Sequence, residues 1–357
     1  MATVPAVHVL RCPRCHHPAP VQALGCISCG VAIGFQPARL AMVELTADGA
    51  AVGEPWTACS NRGWDCNWLL PTDAEAARCS SCRLTRNRPA NDDTLALEKL
   101  AEASKAKRRL LIQLAELGLP VEPYHERDGG LAFDLLSSRS GTGPVTTGHA
   151  DGVITIDLAE TLDDHRERLR VQLGEAYRTV LGHFRHEVGH FYQWNLVEQG
   201  PRIDECRELF GDERVSYADA LDRHYRLGAP DGWEADHISE YATMHPWEDF
   251  AETFAHYLHI TDTLTTAATG GMVLDAGRLD GLIERDVVPR ASYLDVGIDE
   301  LLDDWHWSSL FFNAINHSMG KGDLYPFRVV EPVAAKLAFV HEVVSETART
   351  TPRPILA

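Results

Sequence analysis

Apolar residues recur along this chain with two different periods. Between residues 131 and 158 the period is two: "LAFDLL" and, after an "SGTGP" turn, "PVTTGHADGVITIDL" read as short strands, and "GVITIDL" alternates as a half-buried strand does. Further upstream, "ARLAMVELTADGAAVG" alternates and then meets Asp48-Gly49, which predicts a hairpin. From Asp92 to Gly118 the period becomes helical: acids open "DDTLALEKLAEASKAKRRLLIQLAELG" and Gly118 with Pro120 stops it. The "KAKRR" run within it reads as a solvated helix face. From Glu160 onward the pattern predicts helices near 160–197, 202–210, 215–227, 237–243, 246–260, 297–318 and 331–349, and an unpacked tail, "TARTTPRPILA". Strands followed by helices indicate an α+β body. The expected organisation is a small region over 1–90, a linking helix over 91–120 and a main domain over 121–350.

Composition narrows the class. The chain has 357 residues, 45% of them apolar and 24% charged, as in an ordinary soluble protein with room for two or three domains. No apolar run approaches the roughly 18 residues of a membrane span, and "MATVPAVHVLRCPRC" lacks the order of a signal peptide, so a cytosolic, membrane-free protein is expected. The net charge of −19 argues against a duplex nucleic-acid binder. It is unevenly spread: residues 1–90 hold 8 Arg against 6 Asp and Glu, and the remainder holds 25 Lys and Arg against 46 acids. An acidic body weakly favours a neutral or basic polypeptide partner.

Eight of the nine cysteines precede residue 83. Such clustering in a cytosolic chain means metal sooner than disulfides. Cys12, Cys15, Cys26 and Cys29 form two CxxC knuckles, the thiolate set of a tetrahedral structural zinc, and Gly30 suits the tight turn after the second knuckle. Cys59, Cys66, Cys79 and Cys82 form a second set with one widened knuckle. Binding within each cluster and binding across them both remain open at this level. Cys206 reads as a buried helix residue.

The chemistry concentrates in "LGHFRHEVGHFYQW", residues 181–194. His186 and His190 stand at i and i+4, one turn apart on one helix face, which suits two ligands of one zinc. Glu187, beside the first, is placed to act as a general base. A zinc hydrolase needs a third ligand and an open position. "ISEYATMHPWEDFAETFAHYLHI" supplies candidates: with Pro246 at the first helical turn, Glu248, Glu252, His256 and His259 form a polar stripe among Phe250, Phe254, Tyr257 and Leu258. Buried polar groups need partners or a metal. Glu248 is therefore expected as third ligand, in preference to Glu252, which would orient a ligand imidazole. His245 and His256 are expected around the site, His245 either lining the cleft or capping the helix. Tyr241 is the candidate to stabilise an oxyanion.

HExxH followed by Tyr-x6-Glu-x3-Glu resembles the catalytic domain of anthrax lethal factor and related zincins, which implies zinc on both histidines and the first glutamate, with the tyrosine assisting. The chain is also similar to a bacterial family of zinc-metallopeptidase-like proteins with an N-terminal zinc ribbon. That likeness rests on "CNWLLP", "AKRRLL", "TGHADGVITI", "YRTVLGHFRHEVGH", "FGDERVSY" and "HPWEDFAETFAHYLHI", from about Cys12 to Thr265. It implies a mainly helical zincin-like domain with a small sheet, behind a double zinc-ribbon region. In zincins a strand near the metal pairs with extended substrate, so the "GVITIDL" strand is expected at the cleft. The chain departs from thermolysin-like enzymes, which use Glu-x3-Asp.

The expected function is hydrolysis of a peptide bond, a limited cleavage of a protein substrate. It would use one catalytic and two structural zincs, with Glu187 as base and Tyr241 at the oxyanion, and the ribbons are a possible surface for a protein partner. The alternatives are a non-catalytic zinc-binding adaptor and a hydrolase of non-peptide amides.

Overall fold

A computed structural model describes residues 10–139, 145–158 and 179–351. The chain divides into two compact units, Met1–His165 with Thr351–Ala357, and Arg166–Thr350.

The first unit opens with three two-stranded antiparallel pairs: β1 (Leu10–Arg11) with β2 (Pro18–Ala19), β3 (Ile33–Gln36) with β4 (Ala41–Glu44), and β5 (Trp56–Ala58) with β6 (Leu69–Pro71). The turn expected at Asp48-Gly49 is present, with Gly49 at φ +88° and Leu45 bridged to Ala51. The strand before it also closes a hairpin with β3, because its register sets Val43 opposite Gly34 and buries Phe35 and Met42.

Helix α1 (Ser80–Arg83) leads into β7 (Thr85–Asn87), the first strand of a four-stranded sheet in the order β7-β8-β10-β9, with β8 at Ala132–Leu136, β9 at Gly148–Ala150 and β10 at Val153–Asp157. β8 runs parallel to β7 and β10, and β9 runs antiparallel to β10. Phe133, Leu135, Ile154 and Ile156 fill the sheet's core. The "GVITIDL" strand is thus interior. β8 pairs with it along its length and β9 over Val153–Thr155, so it is not the free edge that takes up an extended substrate; among the described residues the edges are β7 and β9.

Helix α2 (Thr94–Glu116) is capped by the Asp93 carboxylate, which accepts the Ala96 N–H at 2.9 Å. Its "KAKRR" run is not a solvated face. Lys107 and Arg108 are each 1% exposed. Lys107 Nζ donates to the Ser81 carbonyl at 2.8 Å and to the Thr85 hydroxyl, and it stands 5.3 Å from the Phe133 ring centroid. Arg108 donates to the Asp65 carbonyl at 2.9 Å. The basic residues tie α2 to the segment carrying the second cysteine cluster. Pairing of Thr85 with Phe133, and of Arg86 with Asp134, joins that segment to the sheet within the first unit.

In the second unit, α3 (Val180–Tyr192) runs into a wide π-helical turn at Gln193–Glu198. It is followed by α4 (Ile203–Phe210), α5 (Tyr217–Leu227), α6 (Pro246–Thr269), α7 (Ile298–Ser318) and α8 (Glu331–Thr350). The helix expected over 237–243 shrinks to a 3-10 turn at Tyr241–Thr243. Pro246 forces His245 into an extended conformation (φ −157°, ψ 149°), which separates this turn from α6. Helix α8 includes the first residues of the tail expected to be unpacked; residues 352–357, like the expected helix over 160–178, lie outside the described residues. Helix α6 is the centre of the unit. Its Phe250, Phe254, Tyr257 and Leu258 are buried, as are Phe184 and Val188 of α3 and Leu337, Val340 and Val344 of α8. Buried ion pairs Arg185–Asp262 at 2.5 Å and Lys336–Asp249 at 2.6 Å pin α3 and α8 to it. Among the described residues, no helix is long and apolar enough to cross a membrane.

Candidate metal centre

The cysteines gather into two sets, Cys12, Cys15, Cys26 and Cys29, and Cys59, Cys66, Cys79 and Cys82, so each cluster closes on itself. Sulfur separations are 3.7 Å for Cys12–Cys29, 3.6 Å for Cys15–Cys26, 3.6 Å for Cys66–Cys79 and 3.7 Å for Cys66–Cys82. A zinc with Zn–S bonds of about 2.3 Å has tetrahedral edges of about 3.8 Å, whereas a disulfide needs about 2.05 Å. The donor sets therefore fit zinc. In the first set Gly30 follows its knuckle at φ +72°, and His16 takes the equivalent left-handed position at φ +60°. In the second, the widened knuckle holds a 3-10 turn, Ser60–Trp64, and the Cys79 N–H points at Cys59 Sγ, 3.3 Å away. Cys206 is buried in α4.

Helix α3 starts at Thr179, whose hydroxyl accepts the Gly182 N–H at 2.9 Å. One turn separates His186 from His190, and their ring centroids lie 4.8 Å apart. Gly189, inside the motif, lets α3 approach α6 closely. A Cβ there would sit 2.9 Å from Ala251 Cα. That approach sets the two histidines opposite Glu248 and Glu252.

His186 Nε2, His190 Nε2 and Glu248 Oε2 then form a triangle with sides of 3.2, 2.9 and 3.4 Å. Ligands at about 2.0–2.1 Å from a tetrahedral zinc are about 3.3 Å apart. The three atoms could hold one ion. On the other side of the ring, His186 Nδ1 bonds Glu252 Oε1 at 2.7 Å, and Glu252 Oε2 accepts the Ser239 hydroxyl at 2.6 Å. Burial opposes charge on His186, yet Glu248 and Glu252 hold its pKa well above the ordinary value. Burial opposes charge on Glu248 as well, and His190 and His186 pull its pKa well below the carboxylate range. A site this rich in compensating charge is built to hold a cation, proton or metal.

Glu187 is 7% exposed, next to His186. Tyr241 places its ring 5.9 Å from that of His186, and burial followed by the Glu248 charge pushes its phenol pKa up. Trp247 packs 5.3 Å from the His190 ring while its indole N–H donates to Glu198 Oε1, in the π turn, at 2.8 Å. His245 caps α6: its Nδ1 accepts the Trp247 N–H and its Nε2 donates to the Val215 carbonyl, each at 3.1 Å. His256 turns to the Tyr325 hydroxyl at 2.8 Å, and burial lowers its pKa to about 4. Neither contact runs to the metal triangle. Sequence reasoning missed Tyr217, whose hydroxyl donates to Glu248 Oε1 at 2.9 Å. The only signal was its place at the end of "FGDERVSY".

Residues 96–343 match the model of a family described as "Putative zinc-binding metallo-peptidase", and residues 9–93 match a zinc-ribbon domain. Uncharacterized proteins of Mycobacterium tuberculosis (strain H37Rv) and Mycobacterium bovis are 45% identical over 340 residues, 94% of this chain and 95% of theirs. No solved structure matches. With two four-cysteine sites and a His/Glu site that fit zinc, the chain belongs to this zinc-binding metallopeptidase family, behind an N-terminal zinc ribbon.

Proposed function

We propose that the chain is a zinc-dependent peptidase of the gluzincin type, cutting a protein substrate at limited positions. His186, His190 and Glu248 would hold the catalytic ion, and the eight clustered cysteines two structural ones. The observation that carries this reading is the triangle of Nε2, Nε2 and Oε2 atoms at tetrahedral spacing, with a carboxylate, Glu187, in the adjacent position on α3.

When bound, zinc supplies Lewis acidity towards a water and the scissile carbonyl. Glu187 takes the proton of the attacking water and returns it to the leaving amine. Tyr241 donates its phenol to the carbonyl oxygen as negative charge grows there; its raised pKa keeps that proton on the hydroxyl. Glu252 fixes the tautomer and orientation of His186 through Nδ1. Cysteines grouped as metal-binding thiolates suit a reducing compartment, and on that ground we place the chain in the cytosol. The ribbon region, in which Ile27, Val52 and Trp64 are exposed, is where we place a protein partner.

The test is cleavage of a diverse peptide library by wild type and by Glu187→Gln. The reading requires cleavage by wild type, removed by EDTA and lost in the variant. Equal behaviour of the two proteins would favour a non-catalytic adaptor.

A further inference from the structure

Glu248 has two carboxylate oxygens, and the structure gives them different work. Oε2 faces His186 Nε2 and His190 Nε2 at 2.9 and 3.4 Å, whereas Oε1 accepts the Tyr217 hydroxyl at 2.9 Å. Tyr217 arrives from outside the motif-bearing helices. It is the first residue of α5, a helix whose only buried residue is Ala220. Its ring packs 5.2 Å from that of His245, the residue that caps α6 two turns of chain before Glu252. The phenol is thus held between the cap of α6 and the first-turn carboxylate of the same helix.

A carboxylate with both oxygens free can take two positions on a metal ion. A hydrolytic zinc needs three protein ligands and a position left for water or substrate. We propose that Tyr217 is a positioning residue of the metal centre: by engaging Oε1 it restricts Glu248 to a single ligating oxygen and keeps the fourth position open. This rests on the assignment of Glu248 as a zinc ligand. The role differs from that of Tyr241, whose phenol lies beside that of Tyr217 and whose ring centroid is 5.9 Å from that of His186, while Tyr217 is the phenol that bonds Glu248 Oε1. Removing the Tyr217 hydroxyl frees Oε1 to swing towards the ion and close that position.

The experiment uses the full chain with its labile metal removed by a mild chelator and replaced by Co2+, comparing wild type, Tyr217→Phe and Tyr241→Phe. Tyr217 is 37% exposed and phenylalanine keeps the ring, so the fold is expected to survive, with unchanged circular dichroism. In Tyr217→Phe the visible Co2+ absorption should weaken as coordination number rises, and kcat should fall about 10- to 100-fold with KM nearly unchanged. Tyr241→Phe removes a neighbour of the Tyr217 phenol but leaves its bond to Glu248, so it should lower kcat and change the Co2+ spectrum less than Tyr217→Phe does; an equal or larger change overturns the proposal. A Tyr217→Phe spectrum identical to wild type overturns the proposal, as does a shift seen in Tyr241→Phe alone. The Co2+ spectrum decides the matter even if no peptide in the library is cut, so failure of the peptidase reading is seen separately.

Discussion

Glu252 Oε1 lies 2.7 Å from His186 Nδ1, on the side of the ring facing away from Glu248. The two glutamates stand one helical turn apart on α6 and divide the imidazole between them, Glu248 beside Nε2, the nitrogen that would face an ion, and Glu252 beside Nδ1. Carboxylate partners of this kind commonly contribute 10- to 100-fold in metal affinity or activity. Glu252→Ala should weaken the labile zinc by about that factor, read by competition with a chromogenic chelator. Unchanged affinity would show that Ser239 and the packing around His186 suffice to orient the ring.

Gly189 has no freedom to become alanine without cost. A methyl there would meet Ala251 Cα at 2.9 Å and its carbonyl oxygen at 3.1 Å, both backbone atoms that move only with α6. Overpacking at such a site costs about 1–3 kcal/mol. Gly189→Ala should lower the melting temperature and loosen the labile zinc together, since the same approach of α3 and α6 builds both. A variant with wild-type melting and zinc content would mean that the helices separate without disturbing the site.

The grouping of His186 with His190 was legible in the sequence because their relation is local: i and i+4 on any helix share a face. Glu248 was legible because Pro246 fixed the start of α6 and hence the stripe. Tyr217 was not, since its partner lies 31 residues away and nothing in a solitary exposed helix says what its first residue touches. The "KAKRR" run misled for a related reason. Charge pattern shows a polar face but not what covers it, and here carbonyls and a cysteine cluster do. The interior place of β10 depends on strand order, which alternation along one strand does not encode.

Lys107 gives that correction a testable form. Its buried ammonium stands near Cys82, Cys79 and Cys66, and donates to the Ser81 carbonyl between two of them. Four thiolates on one divalent ion leave net negative charge, which a buried cation offsets. Lys107→Met should destabilise the protein by about 1–3 kcal/mol, the scale of a buried acceptor left unpaired, and should speed zinc release from one of the two four-cysteine sites. Release at the wild-type rate would assign Lys107 to packing alone.

The metal-free site has its own pH dependence. The pKa of His186 is raised, so its contribution to stability is full below about 6.5 and is lost as pH rises through the higher folded value. Burial opposes charge on Glu252, but His186 draws its pKa down to about 2, so its contribution is full above about 4.3 and is lost as pH falls. The metal-free protein therefore keeps both contributions between about 4.3 and 6.5. Zinc must displace the proton from His186. Added zinc should raise the melting temperature more at pH 8 than at pH 6. Equal gains at both would contradict a shared site for proton and metal.

The central claim is that three side chains from α3 and α6 hold one ion. Anomalous diffraction at the zinc edge from crystals of the zinc-loaded chain tests it most directly. The account predicts a peak bounded by His186 Nε2, His190 Nε2 and Glu248 Oε2, with one more inside each cysteine set. A zinc-replete crystal with peaks only at the cysteines, or with its third peak away from Glu248, would contradict it.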